Sequence, residues 1–118
     1  MDEVTERKLL GLLGLGVRGR GAVVGVQQVR DAAMKGKLAF AVVAPDVSRH
    51  SLDKIVPVLK AKGIRYVEGP SASVLGAAVG RVTTAVVGVV DWQLARGIRA
   101  IVEAGADGAR QSGPPRTP

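Results

Sequence analysis

Cysteine is absent from this chain of 118 residues, and aromatic residues are scarce. Without a thiol the chain offers no disulfide, no thiolate ligand for a metal and no cysteine nucleophile. Its three aromatic residues, Phe40, Tyr66 and Trp92, disfavour a mode of RNA binding in which bases stack on a row of aromatic side chains. With a single histidine, His50, a zinc site is not expected either.

The chain also lacks a long apolar run and a targeting signal. Its longest strongly apolar run, residues 82–90, is nine residues long and includes two threonines and a glycine. That is too short for a membrane-spanning helix, which needs about 20 residues. The sequence Met1-Asp2-Glu3 is acidic where a signal peptide would be positively charged. We therefore expect no signal peptide, no membrane partner and a cytoplasmic location.

Common catalytic motifs are missing as well. The sequence has no GxSxG, HExxH or Walker A pattern, and the glycines around Gly25 lack the spacing of a dinucleotide fingerprint. Asp46 follows a predicted strand, where an α/β enzyme would hold a catalytic carboxylate, but a turn or a helix cap is the commoner role of such an aspartate. We therefore expect no enzyme activity, no cofactor and no metal.

Apolar residues and positive charge are what the chain does contain. Hydrophobic residues make up 47% of it, enough to bury the core of one domain. The 17 lysines and arginines outnumber the 10 aspartates and glutamates, which gives a formal net charge of +7. A domain this basic favours a polyanionic partner such as RNA, DNA or an anionic membrane. Between a nucleic-acid partner and a basic surface without any specific partner, we favour the nucleic-acid partner.

Helical and strand patterns alternate along the chain. The predicted strands are four short apolar runs at residues 22–24, 38–44, 64–68 and 83–90. Four predicted helices follow the capping residues Thr5, Ser48, Ser71 and Asp91, and a fifth spans residues 26–35. This alternation predicts an α/β fold, a three-layer α/β/α sandwich around a four-stranded mixed sheet.

Two breaks in these patterns carry predictions of their own. Pro57 falls inside the apolar stripe of the third helix and should kink that helix or split it. Gly105 should end the last helix, since the residues after it hold three prolines and little apolar bulk. We therefore divide the chain into one domain, residues 1–104, and a disordered tail rich in proline and glycine, residues 105–118.

The stretch from Gly16 to Gly36 combines glycines with basic residues at a strand-to-helix junction. An apolar triplet meets Gly25, after which the apolar spacing becomes helical. The N–H groups at a helix start lack intrahelical partners, so a phosphate-rich ligand is one interpretation. A plain β–α junction with a basic surface is the other, and the pattern alone leaves both open. The basic residues of this stretch and its edge are Arg18, Arg20, Arg30, Lys35 and Lys37.

Three segments in consistent order resemble one protein family. LLGLLGLGVRGRGAVVGVQQVRDAAMKGKLAFAVVAPDVS, residues 9–48, resembles the opening of the bacterial YlxQ-like proteins, which belong to the superfamily of the ribosomal proteins L7Ae and L30e. GPSASVLGAAVGR at residues 69–81 is similar to that superfamily's Pro-Ser…Leu-Gly…Gly segment, and VVGVVDWQLARGI at residues 86–98 to its last strand and helix. The resemblance implies the same α/β/α sandwich and RNA binding, typically at kink-turns, which are sharply bent helices with tandem G·A pairs.

The resemblance also implies a binding site. In the family, the N-terminus of the second helix enters the RNA major groove at the bend and contacts the G·A pairs through a Gly-x-Asn-Glu-x-x-Lys motif. At these positions the chain has Gly25, Gln27, Gln28 and Asp31, so that amides replace Asn and Glu and a carboxylate replaces Lys. A second family element is the loop before the last strand, which holds an extruded base. It corresponds here to Arg81, Val82, Thr83 and Thr84.

From these observations we expect an RNA-binding protein that is not an enzyme. It would be associated with the ribosome or bind structured RNA, either rRNA or another kink-turn-like RNA. Amides at Gln27 and Gln28 would read base edges, while cations contact phosphates. These cations are Arg18, Arg20, Arg30, Lys35, Lys37 and Arg81. Two alternatives stay open: a protein-interaction module that lost RNA binding, which Asp31 favours, and a phosphate-ligand enzyme that uses the glycine-rich junction and Asp46.

Overall fold

Five helices and four strands alternate in the computed structural model, which describes residues 1–109. The helices are α1 (Glu3–Arg18), α2 (Val26–Met34), α3 (Arg49–Ala61), α4 (Ala72–Ala78) and α5 (Trp92–Ala109). The strands are β1 (Ala22–Val24), β2 (Phe40–Val43), β3 (Tyr66–Glu68) and β4 (Val86–Val89). The order of elements is therefore the alternation that the sequence predicts.

The strands form one mixed sheet in the order β1-β4-β2-β3. β4 is antiparallel to both of its neighbours, and its Val87 lies opposite Val24 of β1 and Val42 of β2. β2 and β3 are parallel and are joined by a crossover through α3. The last strand in the sequence thus occupies a central place in the sheet.

Helices cover both faces of the sheet, and each face has its own core. α1, α4 and α5 cover one face, where Leu13, Leu75 and Ile98 are fully buried. α2 and α3 cover the other face, where Ile55 and Leu59 are fully buried. Both central strands, β2 and β4, are buried along their whole length. The three-layer α/β/α sandwich around a mixed sheet is therefore confirmed.

The start of α1 packs against α5, and this contact corrects two predictions. Asp2, and not Thr5, caps α1: its carboxylate accepts a hydrogen bond from the Thr5 backbone N–H at 2.8 Å. Thr5 is instead buried, and a Cβ atom at Gly105 would collide with its side chain. Gly105 therefore allows α5 to approach α1 closely and does not end the helix, which continues to Ala109.

Pro57 does not split α3, so that alternative in the prediction is wrong. The helix is continuous over Arg49–Ala61, and Ser48 caps it as predicted, with its hydroxyl accepting a backbone hydrogen bond. Ile55 and Leu59, on either side of the proline, are fully buried against the sheet. This packing offsets the backbone hydrogen bond that proline cannot form.

The limits of three strands and of the tail differ from the predicted ones, and β2 (Phe40–Val43) and β3 (Tyr66–Glu68) are shorter than expected. β4 begins at Val86, so Thr83 and Thr84 belong to the loop before the strand and not to the strand itself. The predicted disordered tail from residue 105 onward is helical as far as Ala109. The rest of that tail, residues 110–118, lies outside the described residues.

Candidate nucleic-acid interface

The N-terminus of α2 lies at the strand-to-helix junction that stands out in the sequence. Gly25 is its N-cap residue, with a φ of 101° in the left-handed region that favours glycine, and it supplies no side-chain cap. α2 also has no acidic residue in its first turn. Side-chain oxygens of Asp2, Ser48, Ser71 and Asp91 cap the other four described helices. The first N–H groups of α2 are therefore open to a ligand that accepts hydrogen bonds.

The loop before β4 is tied to this helix start by one carbonyl oxygen. The backbone N–H of Gly25 donates to the Val86 carbonyl at 3.0 Å. The Thr84 hydroxyl donates to the same carbonyl at 3.1 Å, and Thr84 is buried. The position of the loop and the position of the α2 N-terminus are thus set by the same residue of the central strand.

The tip of this loop is exposed and is supported from behind by α4. Val82 is 90% exposed, and its neighbours Arg81 and Thr83 are exposed as well. The Arg81 backbone N–H donates to the Gly76 carbonyl at 2.8 Å, and the Thr83 backbone crosses directly over Gly76. The loop therefore presents an apolar and a basic side chain to solvent, which suits contact with an unstacked base and its phosphate.

Gln27 and Asp31 lie one turn apart on the exposed side of α2. The Gln27 side-chain amide donates to an Asp31 carboxylate oxygen at 3.0 Å. This bond orients the amide and leaves its carbonyl oxygen free to accept a hydrogen bond from a base edge. Gln28, next in the chain, is also exposed. Asp31 therefore positions Gln27. This role could not be predicted from the sequence, where Asp31 only stands out as a carboxylate at the position of the family's lysine.

Arg30 lies in a groove between α2 and α3. The groove has a volume of about 630 Å³, and Val26 and Pro57 are among its apolar lining residues. The Arg30 Nε atom is buried and has no hydrogen-bond partner among the described residues. The guanidinium group thus belongs to this groove and does not replace the family's lysine at the position of Asp31.

The structure separates the basic residues that were predicted to contact phosphates. Those at the Gly25 end of the sheet are Arg30 and Arg81. Those at the opposite end are Arg18, Arg20, Lys35 and Lys37. Because α2 has nine residues, its C-terminal end lies roughly 14 Å from its start at a rise of 1.5 Å per residue. One surface centred on Gly25 therefore does not contain all of these cations.

Comparison with known proteins agrees with this fold. Residues 7–96 match the model of the Ribosomal protein L7Ae/L30e/S12e/Gadd45 family. The chain belongs to this family. The matched range contains the whole sheet, α2 and the loop before β4, so both parts of the candidate interface lie within the family domain. No match was found among curated proteins.

Two solved structures share the fold of this L7Ae/L30e family member. A protein of unknown function from Bacillus halodurans is 28% identical with a TM-score of 0.75, and the match covers 81% of this chain and 97% of that one. The Giardia lamblia 15.5kD RNA binding protein is 24% identical with a TM-score of 0.74, and the match covers 88% of this chain and 92% of that one. Both likenesses extend over nearly the whole length of the other protein.

Within this family fold, two further polar residues have defined positions. Lys54 lines the α2–α3 groove with Arg30. The helical period of α3 indicates that Lys54 lies outside its buried stripe. Because no local sequence pattern shows that α3 lies beside α2, Lys54 could not be assigned to the groove from the sequence. Asp46 accepts a hydrogen bond from the Ala72 backbone N–H at 2.8 Å at the start of α4. Its expected role in a turn or cap is therefore confirmed.

The chemistry of the interface is that of hydrogen bonding and positive charge. Among residues 1–105, whose side chains are described, there is no group of three His, Cys, Asp or Glu side chains that could hold a metal ion. In the same part of the chain, no helix is long and apolar enough to cross a membrane. The groups around Gly25 are open N–H donors, side-chain amides and cations, which are the groups that contact phosphates and base edges in nucleic acids.

Proposed function

We propose that this family member binds structured RNA at a sharp bend, through the N-terminus of α2 and the loop before β4. The observation that carries the proposal is the Val86 carbonyl, which holds the uncapped helix start at Gly25 and the loop at Thr84 side by side. The open N–H groups suit phosphate oxygens, and the loop tip suits a base that leaves the stack.

Membership of a ribosomal protein family supports RNA binding in general and a role that is not enzymatic. The likeness to the Giardia lamblia 15.5kD RNA binding protein supports the same function. The finer parts of the proposal are a kink-turn in rRNA or another RNA as the target, association with the ribosome, the YlxQ-like branch and a cytoplasmic location. They rest on the motif that begins at Gly25 and on the basic charge of the chain.

Each part of the interface has its own task in this proposal. Gln27, oriented by Asp31, and Gln28 contact base edges at the bend. Cations contact the phosphates on both sides of it, and these are Arg30, Lys54 and Arg81. Val82 and Thr83 contact the extruded base. The alternative, a protein-interaction module that lost RNA binding, was favoured by the carboxylate of Asp31. Because this carboxylate accepts a hydrogen bond from Gln27, it has a role that is compatible with RNA binding.

Titration against a kink-turn RNA and a straight duplex of equal length tests the proposal. We expect the protein to bind the kink-turn more tightly than the duplex. The paired substitutions Arg81→Ala and Val82→Ala should abolish this preference. Arg7→Ala, on the exposed side of α1, is the control and should leave the preference intact. Equal binding of the two RNAs by the unmodified protein would overturn the proposal.

A further inference from the structure

A second basic surface lies at the end of the sheet opposite Gly25, where the proposed function does not use it. A groove of about 560 Å³ opens there between the C-terminal ends of α2 and α3 and the start of α5. Leu38, Ala39 and Ile64 contribute apolar surface to it. We call it the rear groove, and its large side chains are Met34, Lys35, Lys62, Arg65, Trp92 and Arg99.

Trp92 is the most unusual residue of the rear groove. It is the single tryptophan of the chain. Its side chain is not used in the core, where aromatic residues are scarce, and is 69% exposed. Met34, which also lines the groove, is 59% exposed. Large apolar side chains that lie together at the surface mark an interaction site. An exposed indole can stack on any nucleic acid base, since every base has a π-face.

Positive charge in the rear groove is only partly compensated. Among residues 1–105, whose side chains the structure describes, Lys35 and Lys62 form no ion pair, and both are exposed. Arg65 and Arg99 share one acidic partner, Glu103, at 3.4 Å and 3.9 Å. These exposed pairs are weak in water. The two lysines are therefore available to an anionic ligand.

The acidic residue next to Trp92 does not cancel this charge. Asp91 accepts hydrogen bonds from the backbone N–H groups of Gln93 and Leu94, at 2.8 Å and 3.0 Å. Its negative charge therefore faces the positive N-terminus of α5. Lys37, which follows the end of α2 and is exposed, adds a further cation to this end of the molecule.

We infer that the rear groove binds a single-stranded segment of nucleic acid, with one base stacked on Trp92 and the adjoining phosphates at Lys35 and Lys62. A single strand exposes the faces of its bases, whereas a continuous duplex does not. An acidic protein segment would match the two lysines, whereas a single strand matches both the lysines and the exposed indole that lines the same groove. The rear groove is thus a second contact, separate from the interface at Gly25.

The fluorescence of Trp92 reports on this inference directly, because the chain has no other tryptophan. Titration of the full chain with a short oligouridine should quench that fluorescence. The affinity should fall with salt at a log–log slope of about −1.4, from two phosphate contacts at roughly 0.7 each for a single strand. Trp92→Ala, followed through a label on the oligouridine, should weaken binding by about tenfold, as expected for one stacked base.

A matched pair of charge variants separates the rear groove from general attraction. Lys35→Gln with Lys62→Gln should weaken oligouridine binding by about tenfold and remove its salt dependence. Arg7→Gln with Lys8→Gln removes the same charge from the exposed side of α1 and should have little effect. Equal effects of the two pairs, or an oligouridine that leaves Trp92 fluorescence unchanged, would overturn the inference.

Two further measurements decide between partners and between surfaces. A polyglutamate peptide that quenches Trp92 as strongly as the oligouridine would show that the partner is an acidic protein, and the inference would be wrong. Gln27→Ala should impair kink-turn binding and leave oligouridine binding intact. Lys35→Gln with Lys62→Gln should impair oligouridine binding and leave kink-turn binding intact. Failure at the rear groove is therefore distinguishable from failure at the Gly25 interface.

Discussion

Thr83 lies directly over Gly76, where a Cβ atom would come within 2.6 Å of the Thr83 Cα and 2.8 Å of its N. Backbone atoms cannot move aside as the end of a flexible side chain can. Gly76 is also buried within α4, so the helix and the loop meet without a side chain between them. The position of the exposed loop tip at Val82 therefore depends on the absence of a side chain at Gly76.

Gly76→Ala should displace the loop and weaken kink-turn binding. It should also lower the free energy of unfolding by about 1–3 kcal/mol, the usual cost of overpacking. Denaturant unfolding and RNA titration measure the two effects. Gly97→Ala in α5 is the control, since nothing lies within 4 Å of its added Cβ atom, and it should stabilise the helix by up to ~1 kcal/mol. Identical behaviour of the two variants would contradict this account of the loop.

Gln27→Ala should weaken binding of the kink-turn and leave binding of a straight duplex almost unchanged. The variant removes a base-edge contact and no charge, and such a contact is worth on the order of 1–3 kcal/mol. Titration of both RNAs measures the difference. Gln93→Ala, at an exposed position at the other end of the sheet, is the matched control. A parallel loss for both RNAs would show that Gln27 does not read bases.

Asp31 has two opposing effects on RNA binding, and substitutions separate them. Its charge should repel phosphates, while its bond at 3.0 Å orients Gln27. Asp31→Asn keeps an acceptor and removes the charge, so we expect tighter binding of the kink-turn. Asp31→Ala should gain less, because Gln27 is no longer held. The combination of Asp31→Lys with Gln28→Glu restores the Lys and Glu of the family motif, and each restored contact should contribute on the order of 1–3 kcal/mol.

Affinity measurements against the kink-turn alone decide this point. If the unmodified chain already binds at nanomolar strength and the combined variant adds nothing, Asp31 does not face the RNA.

The salt dependence of kink-turn binding should be moderate. Three cations lie at the Gly25 interface, Arg30, Lys54 and Arg81. They predict a log–log slope of about −2 to −3 if the B-DNA coefficient carries over. Lys35→Gln with Lys37→Gln should leave that slope unchanged, since both lysines lie at the far end of α2. A slope near zero would exclude contact with the phosphate backbone, and a change in the lysine variant would show that both ends of the sheet meet one RNA.

Asp2 should make the stability of α1 depend on pH in the acid range. Interaction with Thr5, through its side chain and then its backbone N–H, holds the pKa of Asp2 below its ordinary value of 3.8. A carboxyl group with a lowered pKa in the folded state stabilises the fold above its unfolded pKa, and the contribution is lost as the pH falls through the folded pKa. The melting temperature of Asp2→Ala should therefore lie below that of the unmodified protein at neutral pH and converge with it in acid. A constant difference would show that the charge of Asp2 plays no part.

Local features of this fold could be predicted from the sequence because they depend on residues close together in the chain. The alternating periods of apolar residues predict the three layers, since each period sets which face of a helix or strand is buried. The caps at Ser48, Ser71 and Asp91 are correct for the same reason, because each cap accepts a hydrogen bond from a residue two or three positions on.

The features that were missed depend on contacts between distant parts of the chain. Gly105 looks like a helix end until its packing against Thr5 is known. The basic residues from Arg18 to Lys37 look like one surface in the sequence. The sequence does not show that α2 spans the molecule, so that Lys35 and Lys37 lie at the opposite end of the sheet from Gly25. The role of Asp31 was missed because its effect depends on the side chain of Gln27 one turn away.

The central position of β4 links the timing of folding to the formation of the proposed RNA interface. A ribosome completes β1, β2 and β3 before Val86–Val89 exists, since the chain is made from its N-terminus. Until then β1 has no partner strand, and the Gly25 N–H has no Val86 carbonyl to reach. The closing step pairs segments far apart in the chain, which is the slow kind of contact in folding. A nascent or truncated chain without β4 therefore lacks the proposed RNA interface, and we expect it to bind RNA only after the sheet has closed.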